Sequence, residues 1–114
     1  MSKNRIKIFR GKFYSNYRTG GGHPSLVFSK NKKKNLYSCV VFDTTDGKHR
    51  KPLIHPISDK VDKSFVQNRP LICQKNDFGN HELKNLKINK EDKPRVEWVK
   101  RNNPRYTSKT KKEK

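Results

Sequence analysis

His23 and the run Asp43-Thr44-Thr45 are the residues of this chain whose types and spacing could do chemistry. An imidazole takes or gives a proton near neutral pH, a carboxylate can orient it, and hydroxyls can grip a phosphate. Residues 20–45 read GGGHPSLVFSKNKKKNLYSCVVFDTT. The glycine run delivers His23-Pro24 to the start of an apolar strand. A lysine-rich turn then returns the chain through a second strand that stops at Asp43. Two paired strands would thus hold these groups together at the mouth of a small basic protein. That arrangement suits either cleavage or simple grip of a phosphodiester. Plainer readings stand beside it: His23 as an exposed loop histidine before a proline, and Asp-Thr-Thr-Asp-Gly as ordinary turn chemistry.

The charge says what such a site would meet. The 114 residues carry 29 Lys+Arg against 10 Asp+Glu, a formal +19. Residues 100–114 hold seven Lys/Arg and one Glu, so residues 1–99 are still +13 and the body is basic in its own right. Self-repulsion on that scale is relieved by a polyanion. No apolar run reaches the roughly 20 residues of a membrane span, and no signal-like apolar core follows Met1. Nucleic acid is therefore the expected partner, RNA ahead of DNA, with no membrane. Cys39 and Cys73 sit inside apolar strand patterns, as small buried hydrophobes of a reduced cytoplasmic protein. Without histidines at metal spacing they make no zinc site, and no cofactor is expected. There is also no phosphate-binding glycine loop before a helix, no paired-carboxylate signal and no nucleophile elbow.

The elements that would position the candidates are short strands. Only 29% of the residues are hydrophobic, so the core is small, but they cluster in strand-length groups. Residues 5–14 alternate basic and apolar with a bulge near Gly11. Residues 15–22 form the most mobile internal loop. Strands follow at residues 25–29 and 36–42, joined through Asn31–Asn35. Leu53, Ile54 and Ile57 form an edge strand between prolines. Residues 64–66 and 69–74 are further strands, and residues 76–80 a turn. Asp92 as N-cap and Pro94 at the first position start a short helix through Val99. The pattern predicts a mainly β domain over residues 1–100, a small open barrel with one C-terminal helix. Residues 101–114 read as a disordered basic tail.

This order of pieces resembles the PemK/MazF-type toxin family. The resemblance rests on a strand ending in RGKFY, a glycine-containing loop, and a Gly-x-Pro entry into a valine-rich strand. A basic turn, a strand ending in threonine, Ser64-Phe65-Val66-Gln67-Asn68-Arg69 and the turn Asn76-Asp77-Phe78-Gly79 complete it. It implies an SH3-like barrel that cleaves single-stranded RNA without a metal, by attack of the 2′-hydroxyl on the neighbouring phosphate. His23 stands where the family has its catalytic arginine, Thr45 or Thr44 matches its threonine, and Arg69 matches the arginine of its Gln-x-Arg segment. Histidine is a better acid or base near neutral pH than arginine, but it gives up the bidentate phosphate fork. Catalysis by a shifted division of labour and binding without catalysis both follow. The family also implies a homodimer and an acidic antitoxin protein.

The remaining candidates are binding residues. Tyr17 could stack on an unpaired base beside Arg18. Lys32, Lys33 and Lys34 are either a solvated hairpin tip or a backbone contact, and Lys48, His49 and Arg50 form a second basic group. His55 reads as an ordinary surface position, His81 as a turn residue, and Arg69 as a phosphate contact or a structural pair. Two further functions stay open: a non-catalytic RNA- or DNA-binding module of a mobile element or phage, and an inhibitor of an acidic protein partner.

Overall fold

The computed structural model describes residues 7–19 and 22–106. Eight strands share one sheet: β1 (Phe13–Asn16), β2 (His23–Asn31), β3 (Leu36–Asp43), β4 (Arg50–Pro52), β5 (Phe65–Gln67), β6 (Leu71–Gln74), β7 (Phe78–Leu83) and β8 (Arg105–Tyr106). One helix, α1 (Lys93–Lys100), precedes β8. The first seven strands pair antiparallel, while β8 adds to β6 in parallel. The path β4-β5-β3-β2-β1-β7 leaves β4 and β7 as edges, so the described sheet is open. The chain is thus mainly β with one short C-terminal helix. Among the described residues, no helix is long and apolar enough to cross a membrane.

β3 is the centre, and its sequence says why. Cys39, Val40, Val41 and Phe42 are all fully buried. Side chains alternate across a strand, so an unbroken apolar run belongs to a strand covered on both faces. Cys39 and Val41 pack with Tyr14, Val27, Tyr37 and Phe78 on one face. Val40 and Phe42 pack with Phe13, Val66 and the α1 residues Val96 and Val99 on the other. Burying each such side chain contributes about 1.5–3 kcal/mol. The edge of β3 away from β2 is shared: β5 pairs with Phe42 and Asp43, and β6 with residues 36–39. β5 and β6 are therefore one strand interrupted at residues 68–70, where Pro70 has no N–H to offer.

Several expected elements are displaced. Among the described residues the first strand begins at Phe13, and residues 7–12 are not strand, because Gly11 turns the chain at φ +83°; residues 5 and 6 of the expected strand lie outside the described residues. The loop after it is shorter than expected: Ser15 and Asn16 are in β1, and Tyr17–Thr19 form a 3-10 turn. Residues 20 and 21 of that loop lie outside the described residues. Residues 53–57 are not a strand, since the Ile54 and His55 amides turn to the Asp92 carboxylate instead of a neighbouring strand. Asp92 consequently does not cap α1 with its side chain, although Pro94 does sit in the first turn. The turn expected at residues 76–80 is a 3-10 turn at Lys75–Asp77, and β7 follows at once. Residues 101–106, which read as the start of a tail, run against the sheet; residues 107–114 lie outside the described residues.

Candidate nucleic-acid interface

The hairpin of β2 and β3 sets the site. Ser25 pairs with Val41, so two residues further His23 falls opposite Asp43, and on its other side His23 pairs with Asn16. The Asp43 carboxylate is nearly buried and serves as a hub. Its Oδ1 accepts the backbone amides of Thr44 at 2.8 Å and Thr45 at 3.1 Å. Its Oδ2 lies 3.0 Å from Arg50 Nη2 and 3.5 Å from His23 Nε2. Arg50 also donates through Nη1 to the Thr45 carbonyl at 2.6 Å, which closes the turn between β3 and β4. Imidazole, carboxylate and guanidinium thus meet at the end of the sheet. The sequence offered Asp43 as a carboxylate that could orient the imidazole, but not as the shared acceptor of the Thr44 and Thr45 amides and the partner of Arg50. Thr44 and Thr45 are exposed, and they reach the hub through their amides.

Arg50 is shared with a cleft of about 540 Å³. Lys48, His49, Arg69, Arg105 and Gln67 also line it, with Asp46 as its one acidic residue among the described residues. Of the sequence candidates, Lys48, His49, Arg50 and Arg69 therefore come together, and His23 joins them through Asp43. Arg69 is exposed and donates Nε to the Asn103 carbonyl at 2.8 Å and Nη2 to the Pro104 carbonyl at 3.2 Å. Its partners are carbonyls and not a carboxylate, so its charge is not neutralised by them. Arg105 was read as tail. The Pro70 carbonyl accepts its amide at 2.7 Å and Gln67 Oε1 accepts its guanidinium at 2.8 Å. No local signal in the sequence announces that docking.

The other candidates are placed apart. Arg18 Nε sits 2.9 Å from Asp77 Oδ1, while Asp77 Oδ2 accepts the Gln74 amide at 2.8 Å, so this arginine braces the turn before β7. Lys32, Lys33 and Lys34 are exposed at the hairpin tip, the far end of β3 from Asp43. Tyr17 is 64% exposed, and its ring rests on glycine. A Cβ at Gly22 would come within 3.0 Å of the ring and one at Gly79 within 3.3 Å, so both positions need to stay glycine for the ring to lie flat there. Gly22 precedes His23, so the Tyr17 ring rests on the residue next in sequence to the imidazole.

Under the His23–Asp43 row is a small polar pocket of the core. Asn16 Nδ2 lies 3.6 Å from Cys39 Sγ and 3.5 Å from Cys73 Sγ, and its Oδ1 accepts the Arg18 amide at 3.0 Å. Both cysteines are free and buried. Hydrogen bonding to the Cys39 thiol, with burial behind it, pushes the Cys73 thiol well above its ordinary range. Both thiols are packed fully inside the core.

No family model, curated protein or solved structure matches the chain.

Proposed function

We propose that this chain is an SH3-like open barrel that binds single-stranded RNA across the arginine-lined cleft and cleaves it. One observation carries the reading: an imidazole and a guanidinium share one buried carboxylate oxygen, at 3.5 and 3.0 Å, on the rim of a cleft with four more basic residues. In the cleavage step His23, oriented by Asp43, takes the proton of the ribose 2′-hydroxyl. The 2′-oxygen forms a bond to phosphorus as the P–O5′ bond breaks, giving a 2′,3′-cyclic phosphate and a 5′-hydroxyl. His49, on the cleft wall, returns a proton to the departing 5′-oxygen. Arg50 and Arg69 neutralise the non-bridging oxygens. Thr44 and Thr45, exposed on the rim, bond the ribose–phosphate chain, and Tyr17 stacks on the base beside the reacting phosphate.

The test is incubation with mixed-sequence RNA in EDTA, with binding measured in parallel. Cleavage to cyclic-phosphate ends, lost in His23→Ala with binding retained, supports the proposal. Intact RNA at high protein concentration, with the protein folded, sinks the catalytic part.

A second reading, binding without cleavage, is favoured by the order of the two distances. Arg50 holds the shared oxygen more closely than His23 does. It predicts that His23→Ala leaves affinity nearly unchanged and that no RNA is cut. In both readings affinity falls with salt, each neutralised phosphate adding about 0.7 to the log–log slope on a single strand. An acidic protein segment, such as an antitoxin, would compete for the same cleft in the cytoplasm. A homodimer belongs to the same reading and is tested by sedimentation.

A further inference from the structure

The opposite end of the same sheet face holds a second basic groove, built on a fixed stretch of backbone. The buried Tyr14 hydroxyl accepts the Phe9 amide at 3.0 Å and donates to the Lys7 carbonyl at 3.4 Å. Ile8 packs onto the core cluster of Tyr14, Val27 and Tyr37. The next side chain, Phe9, is consequently turned outward and is 54% exposed. A large exposed ring is informative in a chain this polar. It borders a groove of about 410 Å³ with Arg10, Lys30 and Lys32, and among the described residues no carboxylate lines that groove. Lys30 Nζ lies 5.3 Å from the centroid of the Tyr37 ring, a cation–π contact that keeps the ammonium on the groove wall.

An aromatic face among three cations, with no acid nearby, supplies what a single strand needs: a stacking surface for a base and charge for its phosphates. We propose that this groove is a second subsite for single-stranded nucleic acid, with a base on Phe9 and phosphates on Arg10, Lys30 and Lys32. The inference rests on the reading of the chain as a nucleic-acid binder and adds a contact independent of the cleft. Tyr37 and Asp43 lie six residues apart on β3, so the two subsites are about 20 Å apart at ~3.4 Å per residue. A short oligonucleotide fills one subsite, and a longer one engages both.

The experiment is fluorescence anisotropy with labelled 2′-O-methyl oligouridylates, which cannot cleave themselves, of about 3 to about 18 nucleotides, a range bracketing known single-strand site sizes. The proteins are wild type, Phe9→Ala, Phe9→Trp and Arg69→Ala, each with its melting temperature measured. Wild-type affinity is expected to rise in a step with length. Phe9→Ala should remove that step, a loss of about 5- to 150-fold for one base stack, and leave the shortest oligomers and a duplex unaffected. Phe9→Trp should keep the step, and Arg69→Ala should weaken every length. Equal affinity of wild type and Phe9→Ala for the long oligomers overturns the groove while leaving the cleft intact. A lowered melting temperature with equal weakening at all lengths also overturns it, showing Phe9 to be a packing residue. If no oligomer binds wild type, the cleft reading fails together with the groove.

Discussion

Asp92 and Asp43 are both buried carboxylates that accept two backbone amides, yet they serve different ends. Asp92 commits both oxygens to the backbone, taking the Ile54 amide at 2.6 Å and the His55 amide at 2.9 Å. The nearby His55 turns to Glu91. That clamp fastens the proline-broken segment after β4 to the start of α1. Asp43 takes its two amides on one oxygen and keeps the other for Arg50 and His23. The first arrangement closes a loop. The second leaves a charged oxygen facing titratable side chains at the edge of a basic cleft. What separates scaffold from candidate site is thus the partner of the second oxygen, not burial, which the two share.

The contrast breaks most visibly at Asp43. Asp43→Asn retains an acceptor for the Thr44 and Thr45 amides but loses the charge that orients His23. RNA cleavage should fall by at least ~100-fold, the usual worth of a positioned base, in a protein that still melts cooperatively. A mutant that cuts at the wild-type rate would place the reaction elsewhere.

Asp92→Ala should do the reverse. Two part-buried amides lose their acceptor at about 1–3 kcal/mol each, so urea denaturation should show a loss of about 2–6 kcal/mol at most. Cleavage below the new melting temperature should be unchanged. A stable Asp92→Ala protein would mean that water takes over both amides.

Arg50→Ala touches both sides of the comparison. It removes a charge-assisted bond to Asp43, worth about 1.5–3 kcal/mol, and one phosphate contact. Stability should drop by that amount and the salt dependence of binding should flatten by about 0.7. Unchanged salt dependence would take Arg50 out of the cleft and leave it a brace like Arg18.

The smallest effect lies beneath the site. The Cys73 thiol is raised in the folded protein, first by its bond to Cys39 and then by burial. Below about pH 8.5 the thiol is neutral in both folded and unfolded chains, so it adds no pH dependence. Above that value the unfolded chain releases a proton that the folded chain keeps, so stability falls as pH rises. The slope is about 1.4 kcal/mol per pH unit from this group alone. Cys73→Ala should flatten the alkaline limb of a denaturation series, and an unchanged limb would contradict the assignment.

Much of the central hairpin was legible in the sequence. The apolar groups at residues 25–29 and 36–42 with the basic turn between them read as two paired strands that would hold His23 and Asp43 at one end. The rest was hidden by contacts between residues far apart in sequence. Asn76 to Asn80 reads as a turn because Asp77 and Gly79 are turn residues. Asp77 instead anchors Arg18, and Gly79 makes room for the Tyr17 ring inside a strand. Arg18 likewise looked like a free cation, since nothing near it in sequence is acidic. Residues 102–105 were masked by their tail-like composition. Their order comes from the Asn102 side chain on the Asn68 carbonyl and the Arg105 amide on the Pro70 carbonyl.

The most direct test of the central claim is to locate a bound strand by NMR. A short 2′-O-methyl RNA, which cannot cleave itself, is titrated into protein with observable histidine and arginine side-chain signals. The account predicts that His23, His49, Arg50 and Arg69 shift together and saturably while His55, beside the Asp92 clamp, stays still. Shifts centred on His55, or saturable binding that leaves His23 and Arg50 unmoved, would contradict it.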